Sequence, residues 1–264
     1  MPELPDVEVF RQYMEATSLH KKITGVEVEN ERVLQDITPS GLGQKLKGRL
    51  FERTRRHGKH MFACADGEFW VMFHFGMTGF FKYFKNEEDK PPHARVLFHF
   101  DNGFCLAYDS QRMLGKIRIV EDAGDFIRQN ELGQDALGLS WDAFQNRMHG
   151  RRGTVKTALM NQSLMAGIGN IYSDEILFQT GIHPKTQMNN LNEGLLKKMH
   201  EHMQRVLKTA VDKKADPEEF PDDFLVPHRG SGNKCPRCGG EIKKVKVNNR
   251  GTYFCPQCQP SPHS

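Results

Sequence analysis

The hydrophobic pattern changes once along this 264-residue chain, and that change constrains the fold more than any other feature. From about residue 23 to 120, short runs rich in β-branched and aromatic residues, such as EFWVMFHF and RVLFHF, are separated by turn sequences such as FDNGF. Runs of this kind predict antiparallel strands joined by hairpins. From about residue 131, apolar residues recur at helical spacing, as at Trp141, Phe144 and Met148. A strand-rich half followed by a helical half predicts an α+β protein.

The first residues predict a helix ahead of the strands. Leu4, Val7, Phe10 and Met14 share one face at helical spacing, and Pro5 is acceptable in a first helical turn. The segment up to about residue 130 is therefore expected to be an antiparallel sandwich or barrel with this helix packed on it.

The second half predicts three further helices after the one that carries Trp141. A short one covers residues 154–162, the next follows the glycine-rich turn in LMAGIGNIYSDEILFQTG, and a long one covers residues 191–213. An acidic, proline-containing segment, DKKADPEEFPDD, comes after the long helix.

The composition favours a globular protein without a membrane span. Hydrophobic residues make up 38% of the chain, with 18 Phe and 12 Met, which is enough apolar material for a core. No stretch approaches the roughly 18 to 20 uncharged apolar residues that a span requires. The start, MPELPDVEVF, contains acids and no basic segment, so we expect no secretory signal and a cytoplasmic location.

Four of the six cysteines form two CxxC pairs near the end of the chain. Sixteen residues separate the pairs, a spacing typical of a zinc site in a reducing compartment. Four thiolates close a tetrahedral site, so the zinc is expected to be structural. The ligands would be Cys235, Cys238, Cys255 and Cys258. Cys64 and Cys105 lie alone in apolar runs and are expected to be buried core thiols.

Basic residues are concentrated in two places, although the net charge of the chain is only +4. Residues 228–264 contain seven Lys or Arg against Glu241, and residues 45–59 contain seven against Glu52. Two such clusters suit a polyanion, and two solvated basic surfaces would explain them equally well. Between the cysteine pairs, KKVKVNNRGTYF predicts a hairpin with Arg250 at or near its tip, where it could contact a phosphate or simply be exposed.

Five motifs that occur in order resemble the formamidopyrimidine-DNA glycosylase and endonuclease VIII family. They are MPELPDVE, RRHGKH at 55–60, HFGMTG at 74–79, GIGNIYSDEILF at 167–178 and NNRGTYFCPQCQ at 248–259. The resemblance implies a β-sandwich catalytic domain (1–130), a helix–two-turn–helix domain (131–227) and a four-cysteine zinc ribbon (228–264), with DNA in the cleft between sandwich and helical domain. It also implies a monomer that acts on damaged DNA, associates with the nucleoid and has no membrane partner.

The resemblance further implies an enzyme with both glycosylase and abasic-site lyase activity. Pro2, exposed after removal of Met1, would be the nucleophile. A free α-amine titrates near pH 8, so a useful fraction is neutral at physiological pH. Its attack on the sugar C1′ gives an iminium ion, which permits base loss and elimination of the 3′ phosphate. Glu3 would move protons at the opening sugar.

Other residues match the DNA-contacting positions of the family. Lys59 would contact DNA at the lesion and assist proton transfer. Asn170 and the backbone around Gly169 would begin a helix whose free N–H groups suit a phosphate, and Arg250 would clamp neighbouring phosphates. Met77 and Arg112 would fill the gap left by the everted base, although Met77 could also be a core residue.

Two departures from the family pattern concern the lesion. Where the family often has Asp-Pro-Arg-Arg-Phe-Gly, this chain has Asp109-Ser-Gln-Arg-Met-Leu-Gly115, with one more residue and no aromatic. Residues 209–227 carry six acids against two lysines and lack the Gly- and Thr-containing loop of 8-oxoguanine enzymes. The competing hypothesis is a protein that binds kinked or abasic DNA without cutting it.

Overall fold

The computed structural model of the chain describes residues 1–261 and forms two compact units. The first unit contains Met1–Pro2 and Asp6–Glu131, and the second contains Glu3–Pro5 and the residues from Leu132 onward. The end of the expected ribbon segment, 262–264, lies outside the described residues. Within residues 1–261, no helix combines the length and apolar character needed to cross a bilayer.

The first unit consists mainly of antiparallel strands. In chain order its elements are α1 (Leu4–Ser18, in this unit from Asp6), β1 (Ile23–Val28), α2 (Pro39–Leu46), β2 (Phe51–His57), β3 (His60–Ala65), β4 (Phe69–His74), β5 (Phe80–Phe84), β6 (Ala94–Phe100), β7 (Cys105–Asp109), β8 (Lys116–Val120) and α3 (Ala123–Gln129). The strands form two four-stranded sheets, ordered β1-β6-β7-β5 and β2-β3-β4-β8.

The two sheets share one apolar core, so the unit is a β-sandwich, as expected. Phe73 of β4 lies edge-on against Phe98 of β6 with ring centroids 6.0 Å apart, and Phe51 of β2 contacts the same ring at 6.0 Å. Val7 and Met14 of α1 are fully buried in this cluster. The predicted packing of the first helix on the sandwich is therefore confirmed.

Three details of the first unit differ from the expectations. Helix α3, AGDFIRQ, follows the last strand where no helix was expected, and Asp122 caps it by accepting from Asp125 N. Helix α2, PSGLGQKL, was not predicted because its two glycines obscure the helical period; Thr38 caps it, with its hydroxyl accepting from Gly41 N. Cys64 is buried as expected, whereas Cys105 is only partly buried, and its Sγ lies 3.0 Å from Nδ1 of His99.

The second unit is helical and ends in a two-stranded ribbon. Its elements are β9 (Gln134–Asp135), α4 (Trp141–Met148), α5 (Val155–Met160), β10 (Met165–Ala166), α6 (Asn170–Thr180), α7 (Glu193–Asp212), β11 (Lys243–Val247) and β12 (Arg250–Phe254). Strands β9 and β10 form a small parallel pair that the sequence did not predict. The four helices lie where the periodicity placed them.

The core of the second unit surrounds α6. Nine of its eleven residues are buried, including the charged Asp174 and Glu175, while Leu4 joins the core from the start of the chain. A helix buried on all sides must satisfy its polar groups within the protein, because water cannot reach them. The partners of those groups form the site described next.

Candidate functional site

The four ribbon cysteines converge on one point. Their Sγ atoms all lie within 4.8 Å of one another, with 3.8 Å between Cys235 and Cys258 and 3.5 Å between Cys238 and Cys255. A zinc ion held by four thiolates at about 2.3 Å requires sulfur–sulfur separations of about 3.8 Å. The donor set and its spacing therefore fit one tetrahedral zinc, with no open coordination position.

Glu3 is a buried carboxylate at the N-terminus of α6. Only 1% of the residue is exposed. Its Oε2 accepts hydrogen bonds from the backbone N–H groups of Gly169 (2.7 Å) and Tyr172 (3.2 Å), and its Oε1 accepts from Ile171 (2.8 Å). These are donors that the first turn of a helix leaves without partners, and the helix dipole favours a negative charge there.

This arrangement corrects one expectation about the same helix. The glycine-rich turn was expected to offer free N–H groups to a phosphate, but three of them bind Glu3 instead. The glycines of this turn are required because the N-terminal segment of the chain packs directly against its backbone, which leaves no room for a side chain. A Cβ on Gly169 would lie 2.4 Å from Cδ of Glu3, and one on Gly167, which has φ +119°, would lie 2.5 Å from Cδ1 of Leu4. Leu4 N also donates to Gly167 O at 3.0 Å.

Asn170 and the ribbon tip are in direct contact. The side-chain amide of Asn170 donates to Gly251 O at 3.0 Å, and its Oδ1 is buried without a hydrogen-bond partner among the described residues. Asn248 and Asn249 form the tip of the hairpin, with φ of 44° and 59°, as a two-residue type I′ turn requires. Arg250 is exposed at the start of β12, next to an open cavity of about 290 Å³ between α5 and the tip.

Beside this contact lies a buried ion cluster that the sequence analysis missed. The Lys156 ammonium, 1% exposed, lies 2.5 Å from Oδ1 of Asp174, and Arg229 donates from Nε to Oδ2 at 2.9 Å. Burial lowers the pKa of Lys156, and the Asp174 carboxylate opposes that shift. Lysine in a short helical run ordinarily predicts a solvated face, so no sequence signal indicated its burial.

In the first unit, Lys59 lies in the two-residue turn between β2 and β3. Gly58, with φ +56°, takes the left-handed position of that turn, and His57 pairs with His60 across it. Arg56, just before the turn, donates from Nε to Oε2 of Glu8 at 2.9 Å, which ties the strand to α1. The turn is thus held at its base while Lys59 remains partly exposed at its end.

Two histidines lie beside Lys59 at the end of the same sheet. The rings of His60 and His74 are 5.1 Å apart on paired strands. Burial, then His74, His57 and Lys59, lower the pKa of His60 to about 3. Burial and Lys59 also lower the pKa of His74. Both rings are therefore neutral at physiological pH, which keeps additional positive charge away from the lysine.

The gap-filling candidates lie on two adjacent loops of the first unit. Met77 is 39% exposed, and Arg112 N donates to Oγ1 of Thr78 at 3.1 Å, which joins the loops. Met113, with φ +52°, packs against the sandwich core, whereas Leu114 is 49% exposed. The exposed apolar residue after Arg112 is therefore Leu114, which the sequence analysis did not single out.

Known proteins of one family match this chain along almost its whole length. The formamidopyrimidine-DNA glycosylase N-terminal domain matches residues 1–117, the H2TH domain of the same enzyme matches 132–220, and a zinc finger found in FPG and IleRS matches 232–260. The formamidopyrimidine-DNA glycosylase of Symbiobacterium thermophilum is 34% identical, over 99% of this chain and 90% of the relative. The chain belongs to the formamidopyrimidine-DNA glycosylase family.

Other members agree in sequence and in structure. The Mycoplasma genitalium formamidopyrimidine-DNA glycosylase is 32% identical over 98% of this chain and 96% of its own length. The fold is that of the Lactococcus lactis Fpg in complex with DNA containing an abasic site, with a TM-score of 0.89, 26% identity and coverage of 98% of this chain and 100% of that one. The zinc-finger match and the cysteine geometry together establish one structural zinc, bound by the four ribbon cysteines.

Proposed function

We propose that this protein is a base-excision repair DNA glycosylase that also cleaves the backbone at the resulting abasic site. The observation that carries the proposal is the placement of Glu3 in a member of this family. Three backbone donors fix its carboxylate at the start of α6, and Pro2 comes immediately before it. Because Pro2 is bonded to Glu3, its amine is expected to lie near a carboxylate that three hydrogen bonds hold in place.

The proposed reaction starts from Pro2 as the N-terminus. The secondary amine attacks C1′ of the damaged nucleotide, the bond to the base breaks, and an iminium ion forms at C1′. Loss of a C2′ proton then expels the 3′ phosphate, and a second elimination releases the 5′ phosphate. Glu3 is proposed to exchange protons with the opening sugar and Lys59 to assist these transfers. Zinc takes no part in these steps, because its four ligands leave no position for substrate.

The proposed DNA contacts come from both units. Asn170 and Arg250, joined through the ribbon backbone, are proposed to bind the phosphates on either side of the lesion. Met77 and Arg112 are proposed to fill the space left by the everted nucleotide, and the exposure of Leu114 supports adding it to this set. In this assignment residues 1–130 supply catalysis, 131–227 the helical DNA-binding part and 228–264 the ribbon. We place the protein, as a monomer, in the cytoplasm on the nucleoid.

Damaged DNA is the proposed substrate. A Lactococcus lactis Fpg of the same fold was solved with DNA containing Fapy-dG, at a TM-score of 0.87 and 26% identity, which supports ring-opened purines as one class of lesion. Abasic sites are a second class, because the proposed lyase steps require no base.

Trapping with borohydride tests the proposal. The mature protein should form a covalent adduct with abasic-site DNA, and peptide mapping should place it at Pro2. Pro2→Gly, or one additional residue ahead of Pro2, should sharply reduce the adduct because each alters or removes the secondary amine. Glu241→Gln, an exposed change in the ribbon, should leave trapping unchanged. Undiminished trapping that maps to a lysine would refute the role of Pro2. Tight binding of abasic DNA without any adduct or nick would instead identify a non-cutting binding protein.

A further inference from the structure

Asp174 joins the zinc ribbon to the helical part of the second unit. Its Oδ1 accepts from Lys156 of α5, and its Oδ2 accepts from Arg229, in the segment before the ribbon, and from Tyr253 N of β12 at 3.1 Å. The Asp174 side chain is fully buried. One carboxylate on α6 thus contacts the three other parts of the chain that meet at this point.

Two further contacts extend the cluster along β12. The Lys156 ammonium also donates to Oγ1 of Thr252 at 2.6 Å, and Thr252 is itself fully buried. The Arg229 guanidinium lies 4.8 Å from the centre of the Tyr253 ring, a cation–π contact. The backbone and side chains of consecutive β12 residues are therefore held by the same cluster.

Arg250 precedes Thr252 by two residues in that strand. A strand whose residues 252 and 253 are fixed has little freedom at residue 250, because the backbone between them is extended and paired with β11. The hairpin tip is also attached to α5, where Asn248 donates to Oγ1 of Thr157 at 2.7 Å. The position of the Arg250 backbone thus depends on contacts within the protein, made by β12 and by the hairpin tip.

We propose that Asp174 is a positioning residue, which docks β12 so that Arg250 is presented to the DNA backbone. The inference rests on the proposed function, since it assumes that Arg250 binds phosphate. In this role Asp174 contacts neither DNA nor zinc. It determines where the ribbon lies on the helical part, whereas the zinc determines whether the ribbon folds.

Electrostatics distinguishes this role from a general charge effect. Removing an exposed acid from a DNA-binding protein ordinarily strengthens binding, because repulsion of the phosphates falls. Removing Asp174 should do the opposite. It leaves the buried Lys156 and the partly buried Arg229 as neighbouring cations without a shared anion. Repulsion between them would move Arg229 and the adjoining β12 away from α5.

Binding of an uncleavable duplex tests the proposal without relying on catalysis. The probe is a duplex with a tetrahydrofuran abasic analogue, and an undamaged duplex of the same sequence is the comparison. Asp174→Asn should weaken binding at least about tenfold and retain one zinc per chain. The plot of log affinity against log salt concentration should become less steep, by the amount that corresponds to the loss of roughly one phosphate contact. Asp142→Asn, an exposed change on α4, is the matched control and should leave affinity unchanged or slightly raised. Thr252→Val, which alters no charge, should weaken binding by roughly fivefold through loss of one hydrogen bond.

The decisive comparison repeats these changes in an Arg250→Gln background. If Asp174 acts through Arg250, Asp174→Asn and Thr252→Val should have less than about a twofold effect there. Equal weakening in both backgrounds, or zinc loss with Thr252→Val, would overturn the positioning role and indicate a structural one. Equal affinity of the wild type for both duplexes would overturn the proposed function alone. The same cycle on the undamaged duplex would still decide the positioning role, because its phosphates are the same.

Discussion

Glu3 and Gly169 occupy one crowded position in which each requires the other. The carboxylate is buried only because the first turn of α6 supplies three N–H donors, and it reaches them only because Gly169 has no side chain. The contact joins residues 166 positions apart in sequence. The effect of a substitution at either residue on stability should therefore depend on which residue occupies the other position, and this coupling can be measured.

Gly169→Ala should destabilise the protein by about 1–3 kcal/mol, because the new methyl group would overlap Glu3. Chemical denaturation measures the change, and the borohydride adduct should fall with it as Glu3 is displaced. Gly194→Ala on α7 is the control: a Cβ there meets nothing closer than 3.5 Å, so its effect should be small. In a Glu3→Ala background the cost of Gly169→Ala should largely disappear. A full cost in that background would argue against the steric coupling.

The lowered pKa of His60 predicts that the free energy of unfolding depends on pH. Its pKa is about 3 in the folded state and about 6.5 when unfolded, so between these values the unfolded chain binds more protons. The contribution of His60 to stability is complete above pH 6.5 and falls as the pH falls, by about 2 kcal/mol at pH 5.

The variant His60→Leu should therefore lose less stability than the wild type between pH 7 and pH 5. Denaturant unfolding at the two values gives the difference directly. His149→Gln, at an exposed histidine, should keep the wild-type dependence. Parallel curves for His60→Leu and the wild type would show that His60 does not cause the acid sensitivity.

Among the elements, the zinc ribbon is the least able to fold on its own packing. The hydrophobic cluster around its cysteines consists of Cys235, Ile242 and Cys255 against Phe178 and Leu225 of the helical part, and Val247 and Phe254 are the other buried apolar residues of the described ribbon. So small a cluster cannot offset the entropy of ordering two strands and two turns, and the metal must supply the difference. Helix α6 contributes as well, since Arg237 of the first cysteine pair lies 4.6 Å from the Phe178 ring centre and donates to Gln179 Oε1 at 3.1 Å.

Cys255→Ser should abolish stoichiometric zinc binding and unfold the ribbon, while the sandwich of the first unit stays folded. Metal analysis measures the zinc, and NMR spectra should retain the dispersed signals of the first unit. DNA binding should fall at least as far as in Arg250→Gln, because the arginine loses its support. Cys105→Ser, which removes a thiol outside the ribbon, should keep one zinc per chain. Carefully purified wild-type protein without zinc would contradict the assignment.

At the scale of the whole molecule, the choice of lesion depends on which loops can surround an everted base. The segment after α7 is fixed at two points: Phe220 and Phe224 are buried in the helical core with ring centroids 5.5 Å apart. The backbone carbonyl of Asp223 is bound by the Gln179 side chain at 2.9 Å. A short acidic segment held in this way is poorly suited to wrap backbone amides around a base.

We therefore expect oxidised pyrimidines, ring-opened purines and abasic sites to be processed faster than 8-oxoguanine paired with cytosine. Discrimination of 8-oxoguanine from guanine requires several placed donors, and a site without them cannot discriminate strongly. Single-turnover excision on matched duplexes measures the order, with abasic DNA as the control for lyase competence. If 8-oxoguanine opposite cytosine is the fastest base lesion, this interpretation of the segment is wrong.

The sequence by itself determined the features that depend on near neighbours in the chain. Helices and strands followed from the periods of apolar residues, the hairpin turn from Asn248 and Asn249, and the zinc ligands from the spacing of the two CxxC pairs. Each of these is set within about twenty residues, so local propensity and ligand geometry are sufficient. Helix α2 was missed because its glycines weaken that local signal, while its cap and its tertiary packing still make it a helix.

Only the tertiary structure decided which polar groups are buried and what they contact. The sequence could not show that Glu3 binds the helix N–H donors expected for a phosphate, or that Asp174 pairs with both Lys156 and Arg229. It also could not show that Leu114 rather than Met113 faces solvent. These outcomes depend on residues far apart in the chain that packing brings into contact. The free energy of a buried charge depends on partners that only the folded chain supplies, and no local pattern records them.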